Sequence, residues 1–435
     1  MIRTAAAAPP ATAVDIARIG QSGDGIAALA DGTPLYVPGT LPGECARVRP
    51  LVRRGEGWAA AAERLLSMSP ERQPPACPHF GPCGGCRLQH WQDAPYRAWK
   101  AELLAAALRR AGFAPTLAPL VPSAPGARRR MDLAVRREGR SVRLGLHAMR
   151  AGEVVDLTAC PVLHPALFAL IAPLRALLGG LRLLRREGAV VANLLEGGAD
   201  LLLRTDAEPG PADRAALVRF AEAHGVGRVA WARGDGPTEA LCLLRPPVAM
   251  LSGVAVRPPP GAFLQASAAG EAAIVAGVLG GLPARLSARA RIVELYAGCG
   301  TLSFALASRA RVLACEGDAE AAAALREAAN THGLAGRITV ESRDLARRPL
   351  SAAGLAGCAA VVLDPPAAGA ARQIAEIAAA RPPVVIYVSC NPPALARDAA
   401  ILRAAGYDVT AALPIDQFLW SARLESVVVF APGSA

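Results

Sequence analysis

The stretch Val384-Val385-Ile386-Tyr387-Val388-Ser389-Cys390-Asn391-Pro392-Pro393 decides how the C-terminal part of the chain is read. Its first five residues are apolar without interruption, as in a strand buried on both faces of a parallel sheet. The Pro pair ends the strand, and Pro is well tolerated in the first turn of a helix. Ala394 to Ala405 reads as that helix. Cys390 therefore lies where a strand delivers its last residue to a loop, and ligands of open α/β sheets bind outside such strand ends. A thiol there can be a nucleophile. An arbitrary Cys is more often a small buried hydrophobe, so the weight rests on what else converges on it.

From Arg291 onward the pattern is regular. Strand-like segments lie near 292–296, 311–316, 337–341, 359–363, 384–389, 407–413 and 425–430. Helical segments, such as Ala319 to Thr331, fill the first five intervals. This alternation predicts a doubly wound, Rossmann-like α/β domain with a seven-stranded sheet. No helix fits between the last two strands, so one of them should run antiparallel. Glu294-Leu295-Tyr296-Ala297-Gly298-Cys299-Gly300-Thr301 closes the first strand and opens a helix. Its glycines let the backbone approach a ligand. The second strand ends at Cys315-Glu316, where an acid can accept hydrogen bonds from a ribose. A nicotinamide dinucleotide is one reading of such a loop, but Ser303 stands where that fingerprint has its third glycine. Together with Asp364-Pro365-Pro366 after the fourth strand, the set looks more like an S-adenosylmethionine-dependent methyltransferase. Glu316 and Asp344 read otherwise as solvated loop carboxylates.

The rest of the chain is less regular. Residues 14–66 carry short strands and Gly turns, as in a small barrel, made basic by Arg47, Arg49, Arg53 and Arg54. Pro74, Pro75, Pro78 and Pro82 exclude regular structure from a segment that holds three cysteines. Ala94 to Gly112 reads as a helix. Strand-like pieces such as Met131–Val135 and Leu201–Arg204 alternate with helical ones in a central α+β region, and Pro258-Pro259-Pro260-Gly261 reads as a linker. Arg128-Arg129-Arg130 faces either phosphate or water. A formal charge of +11 suits a polyanionic partner. Ten cysteines without the spacing of a secreted framework suit a reducing cytoplasm, and no apolar run of about eighteen residues predicts a membrane span.

Ser389-Cys390-Asn391-Pro392 with Arg397-Asp398, Glu294 to Gly300, Asp364-Pro365-Pro366, Phe263-Leu264-Gln265 and Leu424-Glu425-Ser426-Val427 resemble the RNA 5-methyluridine (uracil-C5) methyltransferase family. The resemblance spans nearly the whole chain. It implies a tail over 1–12, an OB-like RNA-binding TRAM barrel over 13–68, a central α+β domain over 69–260, and the methyltransferase domain over 261–435. Cys77, Cys83 and Cys86, with Gln89-His90 following, resemble the family's iron–sulfur motif, and Cys160-Pro161-Val162 after Asp156 matches the fourth ligand. Zinc remains a competitor for four cysteines, but Cys-x5-Cys-x2-Cys is not a usual zinc-finger spacing, and four thiolates suit a [4Fe–4S] cluster with a structural role. Carrying both barrel and cluster resembles the branch acting on large-subunit (23S) ribosomal RNA. By position, Cys390 is the nucleophile and Glu425 the base. Gln265, Tyr296, Thr301, Glu316, Asp344 and Asp364 fall on cofactor-binding positions. Ala367, Arg423, Thr301 and Ser267 depart from the family's usual Arg, His, Asn and Asn. RNA is the implied partner, with neither DNA nor membrane, and the expected assembly is a monomer.

The chemistry accounts for the set. C5 of uracil is too weak a nucleophile to take a methyl group unaided. A thiolate adding to C6 gives carbanion character at C5, and the C5 proton must later leave so that the thiolate can be eliminated. One thiolate, one base and one methyl donor are required, with C5 in line with the methyl. The positive sulfonium and the nearby Arg397 would favour the thiolate, and the target base must leave its stack. Cys45, Cys242, Cys299, Cys315 and Cys358 read as ordinary side chains. Transfer RNA as substrate, or a catalytically weak RNA-binding or ribosome-assembly protein, are the competing readings.

Overall fold

The computed structural model describes residues 8–139, 141–149, 152–287 and 289–433. The C-terminal sheet has seven strands in the spatial order Ile338–Ser342, Arg311–Glu316, Arg291–Leu295, Ala360–Leu363, Val385–Ser389, Glu425–Pro432, Tyr407–Ile415. The first five are mutually parallel. Glu425–Pro432 is antiparallel to both of its neighbours, as the short last connection required. Helices Thr301–Ala307, Ala319–Thr331, Ala352–Leu355, Ala371–Ala380 and Pro392–Ala404 occupy the expected intervals. Val385, Ile386, Tyr387 and Val388 are fully buried, the signature of a strand covered on both faces.

The N-terminal sheet has six strands ordered Thr12–Asp15, Cys45–Arg54, Gly57–Ser67, Pro34–Val37, Gly25–Ala28, Arg18–Ile19. It curls into a barrel-like form: just past the first strand, Ile16 N–H bonds to Glu44 O and Ala17 N–H to Ile26 O, tying both edges to one segment. Thr12, expected in the tail, pairs with Val48, while the expected tail up to residue 7 lies outside the described residues. The barrel's basic face is largely committed. Arg47 and Arg49 share Glu63, Arg54 pairs with Asp24, and Arg53 and Arg54 lie over the rings of Trp58 and Tyr36.

Between them a mostly antiparallel sheet runs Glu239–Leu243, Val226–Arg233, Gly198–Thr205, Glu187–Leu195, Arg130–Glu138, Ser141–His147, Val154–Asp156. The cysteine loop packs on its far edge. Gly84 N–H donates to His147 O, and a Cβ at Gly84 would stand 2.8 Å from that oxygen, so the close approach needs glycine.

The helix Asp93–Arg110 joins these parts through Lys100, the chain's single lysine. Its ammonium is fully buried, pairs with Asp416 at 2.8 Å, and donates to the carbonyls of Phe418 and Arg423. A compact ammonium with three donors fits three oxygens at one point, where a planar guanidinium would not. The loop between the last two strands is held by this contact. Tyr96 adds to it, donating from its hydroxyl to Asp416 at 2.7 Å and accepting from Trp420 N–H. Among the described residues no helix is long and apolar enough to cross a membrane.

Candidate active site

Ser389 and Ser426 are opposed in the antiparallel ladder. Continuing that register by one residue sets Cys390 opposite Glu425, so the last strand's direction brings the thiol and the carboxylate together. Ser426 Oγ donates to Ser389 O at 3.2 Å across the same pair. Asn391 N–H bonds to Ser389 Oγ, and the Asn391 amide reaches Ala367 O at 2.6 Å, clamping the Cys390 turn to the loop after Asp364. Cys390 is half-buried. Burial pushes its thiol up to about 11; Glu425 and Asp364 add to the rise and Arg423 opposes it.

Arg397 is not the cation that faces Cys390. Its guanidinium is held by Asp398 and by Ala368 O. Asp398, fully buried, also accepts from the Tyr387 hydroxyl and from Ala370 N–H, so this pair anchors the neighbouring loop. Arg423 takes the place the sequence suggested for Arg397.

Glu425 is 3 % exposed. One carboxylate oxygen accepts from Gln417 Nε2 at 2.6 Å and the other, also buried, has no partner among the described residues. Burial, then the Asp364 charge, holds its pKa well above the ordinary carboxylate range, with Gln417 opposing. The Gln417 amide also donates to Gln265 Oε1 at 2.9 Å, and Gln265 Nε2 donates to Asp364 Oδ2 at 3.2 Å. A line of two amides thus connects the carboxylates. Burial pushes Asp364 up to about 7. Gln417 was missing from the sequence reading. It sits in a loop without a motif, and only tertiary structure brings it to Glu425.

The glycine loop is shaped as expected. Gly300 has φ 101°, and a Cβ there would meet Leu325 at 2.4 Å. Tyr296 holds φ 65°, a left-handed conformation rare for a bulky residue and most often kept at functional sites. Glu316 accepts from Gly298 N–H and Asp318 N–H, both at 2.7 Å, and a carboxylate retains further lone pairs for a ligand hydroxyl. Ser303, in place of a third glycine, donates its hydroxyl to the buried Glu294, whose pKa burial raises to about 8. Asp344 accepts from Ala346 and Arg347 N–H and fixes its own loop. Ser267 caps the helix Ala268–Gly281 by accepting from Gly270 N–H, a task that Asn performs equally well.

One cavity of about 1460 Å³ is lined by Cys390, Glu425, Gln265, Tyr296, Thr301, Glu316, Asp344 and Asp364, and by Cys77, Cys83, Cys86 and Cys160. The four cysteines face one another closely enough for their charges to interact. Cys86 is pushed up to about 12, burial leading, with Cys160, Cys83 and Cys77 adding to it. Gln89 accepts from Cys77 N–H, and its buried amide N–H lies near enough to Cys86 to favour that thiolate. A buried donor beside four thiols fits an anionic sulfur-rich group. No three His, Cys, Asp or Glu among the described residues are grouped closely enough to hold a single metal ion. Of the other cysteines, Cys242, Cys299, Cys315 and Cys358 are buried and Cys45 is half-buried.

Residues 259–432 match the family model described as tRNA (Uracil-5-)-methyltransferase. The chain is 41% identical over 423 residues to an uncharacterised RNA methyltransferase of Brucella suis biovar 1, covering 97% of this chain and 98% of that one. It is 34% identical over 425 residues to the 23S rRNA (uracil(1939)-C(5))-methyltransferase of Pectobacterium atrosepticum, covering 96% and 93% of the two chains. Among solved structures, the tRNA (uracil-54, C5)-methyltransferase of Pyrococcus abyssi in complex with S-adenosyl-L-homocysteine shares the fold. Its TM-score is 0.71 at 20% identity, covering 97% of this chain and all of that one.

Proposed function

Because the chain belongs to the RNA uracil-C5 methyltransferase family, we propose that it methylates C5 of a uridine in 23S ribosomal RNA, with Cys390 as nucleophile and Glu425 as base. The observation that carries this reading is the antiparallel register that sets Cys390 opposite Glu425 on the wall of the cavity that the glycine loop also lines. S-adenosylmethionine, when bound against Tyr296, Thr301, Glu316, Asp344, Asp364 and Gln265, supplies an electrophilic sulfonium methyl. The Cys390 thiolate adds to C6 of the uracil, and the π electrons move to C5 as an enolate. After C5 is alkylated, Glu425 takes the C5 proton, the enolate re-forms, and its collapse expels the Cys390 thiolate and restores the ring. Burial makes Glu425 a stronger base than an exposed carboxylate, which suits a carbon acid.

The four cysteines would hold a [4Fe–4S] cluster in a structural role, since no step above transfers an electron. Their shared place on the cavity wall, with Cys-x5-Cys-x2-Cys spacing in the first three, supports this reading. The ranges 13–68, 69–260 and 261–435 act on this reading as RNA-binding barrel, cluster-bearing domain and catalytic domain, in a cytoplasmic monomer.

Labelled methyl transfer onto separated 23S ribosomal and transfer RNA tests the assignment. Label in 23S RNA, at a position identified as 5-methyluridine, is expected. Label confined to transfer RNA would reassign the substrate, and none in either pool would leave a binding protein.

A further inference from the structure

We infer that Arg128, Arg130 and Arg423 form a phosphodiester-binding track that leads the RNA strand across the cavity to Cys390. This rests on the reading above that RNA is the substrate. All three line the cavity that holds Cys390. The sequence left Arg128-Arg129-Arg130 facing either phosphate or water, and the structure divides the run. Arg129 pairs with Glu271 at 2.6 Å, while its neighbours face the cavity.

These three differ from Arg87, the other arginine that lines the cavity, and from Arg129 between two of them. Arg47, Arg49, Arg54, Arg72, Arg87 and Arg129 each have a carboxylate partner. Among the described residues Arg128, Arg130 and Arg423 have none within ion-pair distance. Arg128 spends its Nε on Arg130 O at 2.8 Å. Arg130 lies over the ring of Phe263 at 5.1 Å, and its Nε is buried without a partner. Asp132 is the acid whose field reaches it. Arg423 is exposed, its carbonyl pinned by Lys100, so its backbone is fixed while its guanidinium is free to meet a ligand.

Their fields overlap at Arg128. Arg128 lies within the fields of Cys160, Cys86, Arg130 and Arg423, Cys390 lies within that of Arg423, and all of them line the one cavity. Like charges whose fields overlap, two of them part-buried, repel one another unless an anion joins them. The guanidinium fork fits two phosphate oxygens at once. A nucleotide swung into the Cys390 pocket leaves its flanking phosphates at the pocket mouth, and the exposed Phe263 ring beside Arg130, 64% accessible, offers a face to a neighbouring base. A polyanion of regular phosphate spacing with aromatic bases matches these groups better than a lone small anion does.

The test is the salt dependence of binding of a single-stranded, uridine-containing RNA oligonucleotide to the full chain. Wild type is compared with Arg128→Gln, Arg130→Gln and Arg423→Gln, singly and together, with cofactor affinity measured on each sample. Each single change should flatten the log–log slope by about 0.7 and the triple change by about 2, since each neutralised single-strand phosphate contributes about 0.7. Arg423→Lys should keep the slope. A triple variant with intact cofactor affinity and the wild-type slope overturns the track. Should the triple variant lose cofactor affinity, the exposed Arg423→Gln decides alone, and an unchanged slope there overturns it as well. Slopes that fall as expected in a protein that methylates no RNA would support the track and sink the methyltransferase reading separately.

Discussion

Two thiol sites share one cavity and are built in opposite ways. Cys390 stands alone at a strand end, its field set by two carboxylates and one guanidinium. Cys77, Cys83, Cys86 and Cys160 stand on Pro-rich and Gly-rich loops, and their fields are set by one another. Burial raises the thiol pKa at Cys390 and at Cys77, Cys83 and Cys86 alike, so the shift itself does not distinguish the two sites; their neighbours do. A thiol among carboxylates keeps its proton until a cation or substrate arrives. Thiols among thiols lose theirs together to a metal centre, because only multiple positive charges offset their mutual repulsion.

The comparison breaks or holds most clearly on single Cys→Ala variants. Cys390→Ala should bring methyl transfer below detection while iron content and brown absorbance stay at wild-type levels. Cys86→Ala should do the reverse first, losing absorbance and iron. If Cys390→Ala loses iron, or Cys86→Ala keeps a full complement of it, the two sites are not separate. Trapping by RNA with 5-fluorouridine at the target sharpens the first half, since fluorine cannot leave as a proton does. An adduct formed by Cys390→Ala would remove Cys390 from the mechanism.

Glu425→Gln comes next in size. Neither the addition at C6 nor alkylation consumes the base, so this variant should carry methylated uracil on Cys390 and stall. Turnover should fall by about 10²–10⁴-fold, and a denaturing gel with labelled methyl should show a covalent RNA–protein band. Free methylated product at normal rate would exclude Glu425 as the base.

The sequence proposed both thiol sites from short motifs, and the structure brings Cys390 and Glu425, and Cys77, Cys83, Cys86 and the distant Cys160, to one cavity. Cys390 follows an apolar strand, and Cys83-Gly84-Gly85-Cys86 carries its own turn. The seven-strand sheet was legible because its apolar segments are long and regularly spaced. What escaped was set by register and crossover. Gln417 lies between the last two strands, in a loop whose shape depends on Lys100 more than three hundred residues earlier in the chain. Arg397 is close to Cys390 in sequence, but a buried carboxylate one residue on, Asp398, claims it. The barrel's arginines raised the formal charge, yet Glu63 and Asp24 neutralise several of them, which composition alone does not reveal.

Gln417→Ala tests the carboxylate side of the Cys390 site. The Gln417 N–H stabilises the charged form of Glu425, so its removal should raise that pKa further. The rise of rate with pH should then move up by about one unit, the size expected of one hydrogen bond to a charged group. An unmoved profile would mean that the Gln417–Glu425 bond is absent in the reacting complex.

The smallest effect separates the two sites by their response to a charge. Only the thiolate is alkylated, so peptide-resolved mass spectrometry after iodoacetamide reads the fraction of Cys390 ionised. In the free protein that fraction should climb about tenfold per pH unit up to about 11, where burial, Glu425 and Asp364 place the midpoint. S-adenosylmethionine brings a positive sulfonium to a cavity whose walls include both carboxylates. An opposite charge that close favours the ionised thiol, so the midpoint should fall by about one unit. S-adenosylhomocysteine has the same shape without the charge and should leave the midpoint where it was. A charge effect and a shielding effect thereby separate, because both ligands cover the thiol but only one attracts its electrons. If Cys77, Cys83, Cys86 and Cys160 hold the proposed cluster, they should be protected equally in all three states. Equal shifts with the two ligands would mean that the sulfonium charge does not reach Cys390, and the proposed placement of the methyl donor beside the Cys390-bound uracil would have to be redrawn.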